Sequence, residues 1–284
     1  SSGDKLASFS GRGPVIPEGI IKPDIAAPGI DIYAAAPGSP CIPDNPATNT
    51  NEENFTGCVS AALSSASLSG TSMAAPHVAG AAALVKAVNP TWTPNQIISA
   101  LVLTARPTVT VNGVIGTPHE VGAGQTDVSK AVRAGLFLPV TDAQFKVTNA
   151  SSANALNLPT LGNNNCFESC VLPRTFTDMV GGGVYTVVSN LPAGATMTPS
   201  GSSLTFTSGQ TQTVNFTFNV NNPALTGGWV YGSVTLQNNT PVNGRPNLTL
   251  PVAIYASAFS NPATAPTTID IMATTERGFF DYTF

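Results

Sequence analysis

The sequence predicts an α/β region followed by an all-β sandwich. Two helical segments lie before about residue 138, and no comparable helix follows. After Pro139 the chain changes to short segments rich in β-branched residues, separated by Pro, Gly and Asn turns. We therefore predict an α/β domain over 1–138 and a β-sandwich over 139–257. Residues 258–284 are interpreted as a linker in which 269–272 suggests the start of a further β element.

Composition restricts the classes of function. The 284 residues include 11 Lys+Arg against 15 Asp+Glu, a net charge of −4, and only 9% are charged. Because there is no basic surface to neutralise phosphates, the sequence argues against nucleic-acid partners. No run of about 18 apolar residues is present, so no membrane span is predicted. With 42% hydrophobic residues for a core, we expect a soluble, globular, secreted (extracellular) protein.

The four cysteines lie in two pairs that are close in sequence, Cys41 with Cys58 and Cys166 with Cys170. Four cysteines allow three disulfide connectivities, and four buried thiols are the alternative. Neither pair has the CxxC spacing of a zinc or redox site. Because the chain is poor in charge and rich in Thr and Asn, we predict the two local disulfides Cys41–Cys58 and Cys166–Cys170, and an oxidising compartment.

The first predicted helix, over 71–88, is apolar on nearly every side. Lys86 is its one evident contact with water, and Gly80 would let another backbone approach closely. A helix of this kind is expected to be buried inside a large domain. Its apolar residues are Met73, Ala74, Ala75, Val78, Ala79, Ala81, Ala82, Ala83, Leu84, Val85 and Val88.

The second helix has a clear start signal. Thr93 is a good N-cap, Pro94 occupies the first helical position and Gln96 completes a capping box. Pro107 is expected to stop the helix, and a third, short helix is predicted over 128–134. The apolar residues that follow the helical period are Ile97, Ile98, Leu101 and Val102.

The strand predictions rest on alternation with a period of two. In 213–220, four apolar residues alternate with polar ones, which is typical of a half-buried strand. Regularly spaced short strands without helices between them indicate a β-sandwich. The predicted strand segments are 145–147, 185–188, 204–206, 213–220, 229–236 and 248–252.

The segment with evident chemistry is GTSMAAPHVAG, residues 70–80. A Gly-Thr turn would place Ser72 in the first turn of the predicted 71–88 helix, beside unpaired backbone N–H groups that can stabilise a developing negative charge. The alternative is that Ser72 or Thr71 is simply the N-cap of the helix. The GxSxG elbow of α/β-hydrolases is excluded because Ala74 occupies its last position.

Extended to GTSMAAPHVAGAAAL, this segment resembles the serine signature of the subtilisin-like serine proteases, the subtilases. Other segments resemble that family in the same order: ASFSGRGP at 7–14, KPDIAAPG at 22–29, NPTWT at 89–93 and GAGQTD at 122–127. The resemblance implies that 1–138 is the C-terminal portion of a subtilisin-like parallel-sheet domain. Residues 172–252 resemble the fibronectin-type-III-like domain of larger secreted subtilases, chiefly at 174–177 and 229–234.

The resemblance implies a serine endopeptidase that acts on proteins or peptides through an acyl-enzyme. It makes Ser72 the nucleophile and its N–H an oxyanion donor, with Gly70, Thr71 and Met73 in supporting roles. The sulfur of Met73 beside the nucleophile would be open to oxidation. Calcium is common in the family, but the sequence has no acidic cluster that would assign a site, and no cofactor or metal ligand is predicted.

The rest of a catalytic triad is not evident. Subtilisins place the Asp, the His and then the Ser in this order, with roughly 150 or more residues from Asp to Ser. Here 71 residues precede Ser72 and none is histidine. The resemblance therefore implies an Asp and a His in a missing N-terminal part, upstream of Ser1, and a chain that is inactive alone. The alternative is a non-catalytic β-sandwich, a binding or structural module, attached to a protease remnant.

Neither histidine of the chain is expected to act as the base. His77 follows Ser72 by five residues, so a helix places it about 140° round the axis and out of reach. We predict that His77 is a hydrogen-bonded core residue. His119 lies in a loop, and nothing in the sequence directs it towards Ser72.

Overall fold

The computed structural model describes residues 4–36, 64–147, 152–240 and 244–258. Cys41, Cys58 and the β element suggested at 269–272 lie outside these residues. The first region contains, in order, β1 (Ile32–Ala36), β2 (Ser64–Leu68), α1 (Thr71–Val88), α2 (Pro94–Leu103), β3 (Thr110–Val111), β4 (Val114–Ile115), α3 (Pro118–Val121) and α4 (Val128–Ala131). No helix within these ranges is long and apolar enough to cross a membrane.

The second region is an antiparallel sandwich preceded by short elements. It contains β5 (Leu136–Phe137), α5 (Asp142–Val147), a 3-10 turn (Ala153–Ala155), β6 (Leu161–Phe167), β7 (Ser169–Asp178), β8 (Gly183–Asn190), β9 (Thr196–Pro199), β10 (Ser203–Phe206), β11 (Thr211–Asn219), β12 (Trp229–Asn238) and β13 (Leu248–Ser257). The five-stranded sheet has the order β10-β8-β12-β13-β6, and the four-stranded sheet has the order β5-β7-β11-β9. All pairs in the two sheets are antiparallel except β13 with β6.

The sandwich forms because its strands alternate as the sequence predicts. In β11 the side chains of Val214, Phe216 and Phe218 are buried, and the residues between them are exposed or half-buried. Successive side chains of a strand point to opposite faces, so this pattern turns one face of the strand to the core. The α/β region followed by a β-sandwich is therefore confirmed.

One apolar core runs through both regions. It includes Val85 of α1, Leu101 of α2 and the inward-facing residues of both sheets. Leu136 of β5 is fully buried, and β5 pairs with β7 as the edge strand of the four-stranded sheet. The segment that leaves the helical region is thus also the first strand of the sandwich, so the two regions pack as one body.

The two longer helices are confirmed. α1 has the predicted bounds, and α2 begins at the predicted capping box, in which Thr93 accepts from the Gln96 N–H and Gln96 accepts from the Thr93 N–H. α2 ends at Leu103, before Pro107, and α4 is shorter than the predicted 128–134 helix.

The strand predicted over 145–147 is wrong, because these residues lie in α5. Thr141 and Gln144 bond each other's backbone N–H groups in the reciprocal manner of a capping box. This local helix start outweighs the weak strand preference of Phe145 and Val147.

The predicted burial of α1 is also wrong. Only Ala81 and Val85 are buried, whereas Leu84 and Val88 are 58% and 62% exposed. Among the described residues, α2 and α4 are the principal elements that pack on α1, and both lie on one side of it. His77, predicted in the core, is exposed as well, although its ring keeps a hydrogen bond to the Met73 carbonyl.

Parallel pairing in the first region is limited to two isolated bridges within the described residues, Lys5 with Thr110 and Ala26 with Gln125. β1 and β2 form a two-stranded antiparallel ribbon, and so do β3 and β4. The region therefore presents the connections and helices of an α/β layer, while a continuous parallel sheet is not formed by these residues.

The predicted bridge between Cys166 and Cys170 is confirmed. It joins β6 to β7 across the tight turn at Glu168, with a Cα–Cα distance of 5.4 Å. Cys166 is fully buried. Since β6 is an edge strand, the bridge holds this edge against the opposite sheet.

A buried arginine of β7 bonds the residues that precede β6. The Arg174 guanidinium is fully buried and donates to the carbonyls of Thr160 (2.7 and 2.9 Å), Asn154 (2.9 Å) and Pro173 (2.6 Å). Burial lowers the pKa of Arg174 to about 9, so the group remains charged at neutral pH. Its charge is offset by carbonyl dipoles, which ties the residues before β6 to β7.

The Arg174→Met variant should therefore lower the free energy of unfolding by about 2–3 kcal/mol, because it leaves buried carbonyls without a donor. The measurement is denaturant unfolding of both proteins. Arg133→Met is the matched control: Arg133 is exposed and bonds the Ser129 carbonyl through Nε, so its loss should change stability by less than about 0.5 kcal/mol. Equal effects of the two substitutions would contradict this account.

Candidate active site

Ser72 is the second residue of α1, and its side chain is exposed. The N-cap of α1 is Gly70, which has no side chain to cap the helix. The alternative that Thr71 or Ser72 serves as the N-cap is therefore wrong. The hydroxyl of Ser72 is free from a capping role at the start of a helix of 18 residues.

Backbone bonds hold Gly70 on both sides. Its N–H donates to the Gly29 carbonyl at 2.7 Å, and its carbonyl accepts from Met73 N at 3.0 Å and Ala74 N at 3.3 Å. The Ser72 N–H has no backbone carbonyl partner among the residues that the structure describes. A free N–H at a helix start, where the helix dipole is positive, is suited to stabilising an oxyanion.

Gly29 allows the 22–29 segment to reach the start of α1. A Cβ atom at Gly29 would lie 2.7 Å from the Gly70 carbonyl oxygen and 3.3 Å from the Ala74 Cβ. The first contact is shorter than atoms can tolerate, so the close approach of the two backbones depends on glycine.

The 122–127 segment bonds the other side of the 22–29 segment. Ala123 N donates to Asp24 O at 2.9 Å, and Ala26 N donates to Gly124 O at 2.8 Å. Gly122 and Gly124 have φ of 61° and 107°, and a Cβ at either would overlap backbone atoms of the facing segments. The structure therefore brings together three of the sequence segments that resemble one family.

The two histidines lie apart from the Ser72 hydroxyl. His77 Nδ1 is 2.8 Å from the Met73 carbonyl. The prediction that His119 lies in a loop is wrong, because it lies in α3; it is only 4% exposed and contacts Tyr231 of the sandwich. No hydrogen bond joins Ser72 to a histidine in the described part of the chain. The two histidines therefore bond groups other than the Ser72 hydroxyl.

Acidic side chains near the site also have partners. Asp24 pairs with Lys22 at 2.5 Å, and the Ser69 hydroxyl bonds the Asp31 backbone N–H at 2.8 Å and its carboxylate at 3.4 Å. Within the described ranges, no group of three or more His, Cys, Asp or Glu side chains could hold a metal ion.

An apolar cavity of about 450 Å³ lies beside the start of α1. Its walls are the segments 4–10 and 23–30 and the first two turns of α1, completed by Val109, Glu120 and Gln125. Its apolar lining residues include Leu6, Phe9, Ile25, Ile30, Ala75 and Val78. Further along α1, the apolar side chains of Leu84 and Val88 are exposed.

Comparison with known proteins agrees with this arrangement. Residues 1–124 match the Subtilase family, and residues 155–254 match the Fibronectin type-III domain. The chain therefore contains a subtilase segment followed by a fibronectin type-III domain. The family match contains the start of α1, the 22–29 segment and the 122–124 turn, which form the site described above.

Several curated subtilases are similar over much of the chain. Subtilisin-like protease SBT1.6 of Arabidopsis thaliana is 32% identical over 277 residues, which covers 81% of this chain and 34% of the relative. Subtilisin-like protease SBT3.7 of the same plant is 32% identical, covering 89% and 34% respectively. The CO(2)-response secreted protease of that plant is 36% identical over 151 residues, covering 49% and 18%. The chain spans about a third of the length of the first two relatives.

A Gly29→Ala substitution tests the close approach at Ser72. We expect it to lower the free energy of unfolding by about 1–3 kcal/mol and to speed hydrogen exchange at the Gly70 amide, because the added methyl group separates the two backbones. Gly11→Ala is the matched control, since nothing lies within 4 Å of a Cβ at Gly11. Unchanged exchange at Gly70 in the Gly29→Ala protein would show that the contact is not tight.

Proposed function

We propose that Ser72 is the nucleophile of a subtilisin-type serine endopeptidase. The supporting observation is its position: an exposed hydroxyl in the first turn of α1, with the N-cap role taken by Gly70. In this reaction the Ser72 Oγ attacks the carbonyl carbon of a peptide bond. The amine then leaves, and water hydrolyses the resulting acyl-enzyme.

The neighbours of Ser72 have supporting roles in this proposal. The Ser72 N–H donates to the oxyanion of the tetrahedral intermediate, because it lies at the helix start, where no backbone carbonyl of the described residues accepts from it. Gly70 keeps this donor in place through its bond to Gly29. Thr71 and Met73 flank the nucleophile, and oxidation of the Met73 sulfur would crowd it.

The base and the acid are proposed to come from an N-terminal part of the catalytic domain, outside these 284 residues. Three observations support this. Neither histidine of the chain bonds Ser72. Among the described residues, Leu84 and Val88 of α1 are exposed, and the cavity beside the start of α1 has a largely apolar lining. The first two relatives described above are about three times as long as the stretch that this chain matches.

The exposed side chains of Leu84 and Val88 and the cavity beside α1 indicate where the N-terminal part would dock. Burial of a large apolar side chain contributes about 1.5–3 kcal/mol, so covering Leu84, Val88 and the cavity beside α1 would strongly favour association. The same docking would bring the imidazole to the exposed hydroxyl of Ser72. The 284-residue chain alone is then inactive towards peptides.

A secreted location and protein or peptide substrates complete the proposal. One relative is named a secreted protease, and the Cys166–Cys170 disulfide is typical of an oxidising compartment. Only 9% of the residues are charged, which does not favour a polyanionic partner.

The decisive experiment compares the 284-residue chain with the same chain co-expressed with an N-terminal segment that carries the Asp and His of a subtilase. We expect no hydrolysis of a chromogenic peptide by the chain alone. The complex should hydrolyse the peptide and react with a fluorophosphonate probe at Ser72. Ser72→Ala should lower kcat by roughly 10⁶-fold, the loss known for the nucleophile of subtilisin.

Ser203→Ala, at an exposed serine of the sandwich, is the matched control and should leave labelling and turnover unchanged. Labelling that survives Ser72→Ala would overturn the assignment of the nucleophile. Hydrolysis by the chain alone that Ser72→Ala abolishes would overturn the need for a second segment. A complex that forms but neither reacts nor hydrolyses would favour a non-catalytic β-sandwich module attached to a protease remnant.

A further inference from the structure

His119 lies where the helical region meets the sandwich. Its ring centroid is 4.5 Å from that of Trp229 and 5.4 Å from that of Tyr231, and both contacts are nearly perpendicular. Trp229 stacks on Tyr231 and meets Tyr255 edge to face. We name Trp229, Tyr231 and Tyr255 the aromatic cluster. A side chain of α3 is thus seated against a surface that β12 and β13 build.

The surroundings of His119 suit an uncharged ring. Nδ1 lies 3.2 Å from the Tyr231 hydroxyl, whereas the buried Nε2 has no hydrogen-bond partner. Protonation would leave a charged N–H in a dry aromatic setting, which is costly. Burial accordingly lowers the pKa of His119 from 6.5 to about 4.

The charged side chains nearest to His119 are engaged in ion pairs. Glu120, on the same helix, pairs with Arg12 at 3.2 Å, and Lys22 of the adjoining segment pairs with Asp24. β12 and β13 contain no charged residue, and their titratable groups are the phenols of the aromatic cluster. Burial raises the pKa of Tyr231, and the nearby Glu120 raises it further.

A continuous set of backbone bonds leads from His119 to Ser72. The α3 helix that carries His119 ends at Gly122 and continues into the 122–124 turn. Gly124 O accepts from Ala26 N at 2.8 Å. The chain then runs through Pro28 to Gly29, whose carbonyl accepts from Gly70 N at 2.7 Å, two residues before Ser72. A displacement of α3 therefore reaches the start of α1 in two hydrogen-bonded steps.

We propose that His119 is a positioning residue: seated uncharged in the aromatic cluster, it fixes the 122–124 turn and, through it, the backbone that carries Ser72. Its importance for catalysis rests on the proposed role of Ser72. The sandwich thereby acts on the geometry of the helical region through one side chain. Packing of the His119 ring against the aromatic cluster should weaken in acid, because the imidazole gains a proton more readily when it is released from the cluster.

The sign of this pH effect follows from linkage. A ring with a pKa near 4 when seated and 6.5 when released contributes its full docking free energy above pH 6.5. The contribution falls as the pH drops from 6.5 towards 4 and does not fall further below that range. The ratio of packed to released His119 should therefore fall roughly 10- to 40-fold between pH 6.5 and 4.5.

Hydrogen exchange of the 284-residue chain, read by mass spectrometry and corrected for intrinsic rates, tests the proposal. His119→Ala should speed exchange about tenfold or more in peptides that contain the Ala26 and Gly70 amides. His119→Phe fills the same space without titrating, so it should keep protection at neutral pH and remove the 10- to 40-fold loss between pH 6.5 and 4.5. The ion pair between Glu120 and Arg12 is retained in this variant, so any effect that it has is common to both proteins.

Two results would overturn the proposal. One is a loss of protection in acid that is the same in His119→Phe as in the unaltered chain. The other is a His119→Ala effect confined to α3 that does not reach Ala26 or Gly70. If His119→Phe does not fold, Tyr231→Phe removes the hydrogen-bond partner and should reduce protection at the same amides. None of these measurements needs hydrolysis. A negative result for His119 would therefore leave the assignment of Ser72 as nucleophile unaffected. In the same way, loss of the Ser72 assignment would leave the positioning role of His119 unaffected.

Discussion

The hydrogen bond from Gly70 N to Gly29 O determines how the first region is arranged. It brings two backbones to a separation at which a Cβ on Gly29 would lie 2.7 Å from the Gly70 oxygen. Because no side chain intervenes, α1 starts directly on the 22–29 segment and Ser72 is presented outward. The 122–124 turn, whose glycines adopt positive φ, forms hydrogen bonds to the other side of the same segment. The site is therefore built from backbone contacts, and side chains at these contacts would separate its parts.

The two regions differ in how completely they bury their apolar surface. In the sandwich, both sheets contribute to a closed core, and residues such as Phe176 and Phe216 are fully buried. In the helical region, α1 has buried residues only on the side that meets α2 and α4. The shared core through Leu136 attaches the incomplete region to the complete one. The helical region thus packs on the sandwich through this shared core.

Buried polar groups are stabilised mainly by the backbone, as expected for a chain with so few charges. Arg174 is balanced by carbonyl oxygens of three residues. Asp178, 5% exposed, accepts from the N–H groups of Val180, Gly181 and Gly209. Such groups join neighbouring loops in one defined geometry, because moving either partner would leave a polar atom unpaired in the interior. They order the ends of the sandwich without requiring charged partners.

The features that the sequence by itself determined are those set by residues close in the chain. The Thr93–Gln96 capping box, the alternation in 213–220, the Cys166–Cys170 bridge and the helix of 71–88 all depend on contacts over a few residues. The error at 145–147 also has a local cause, because the reciprocal bonds of Thr141 and Gln144 start a helix there. Tertiary structure alone decided the exposure of α1, the position of β5 in the sandwich and the seat of His119. Each depends on partners far away in sequence, such as Tyr231, 112 residues after His119. Local sequence patterns do not specify which distant surfaces come into contact.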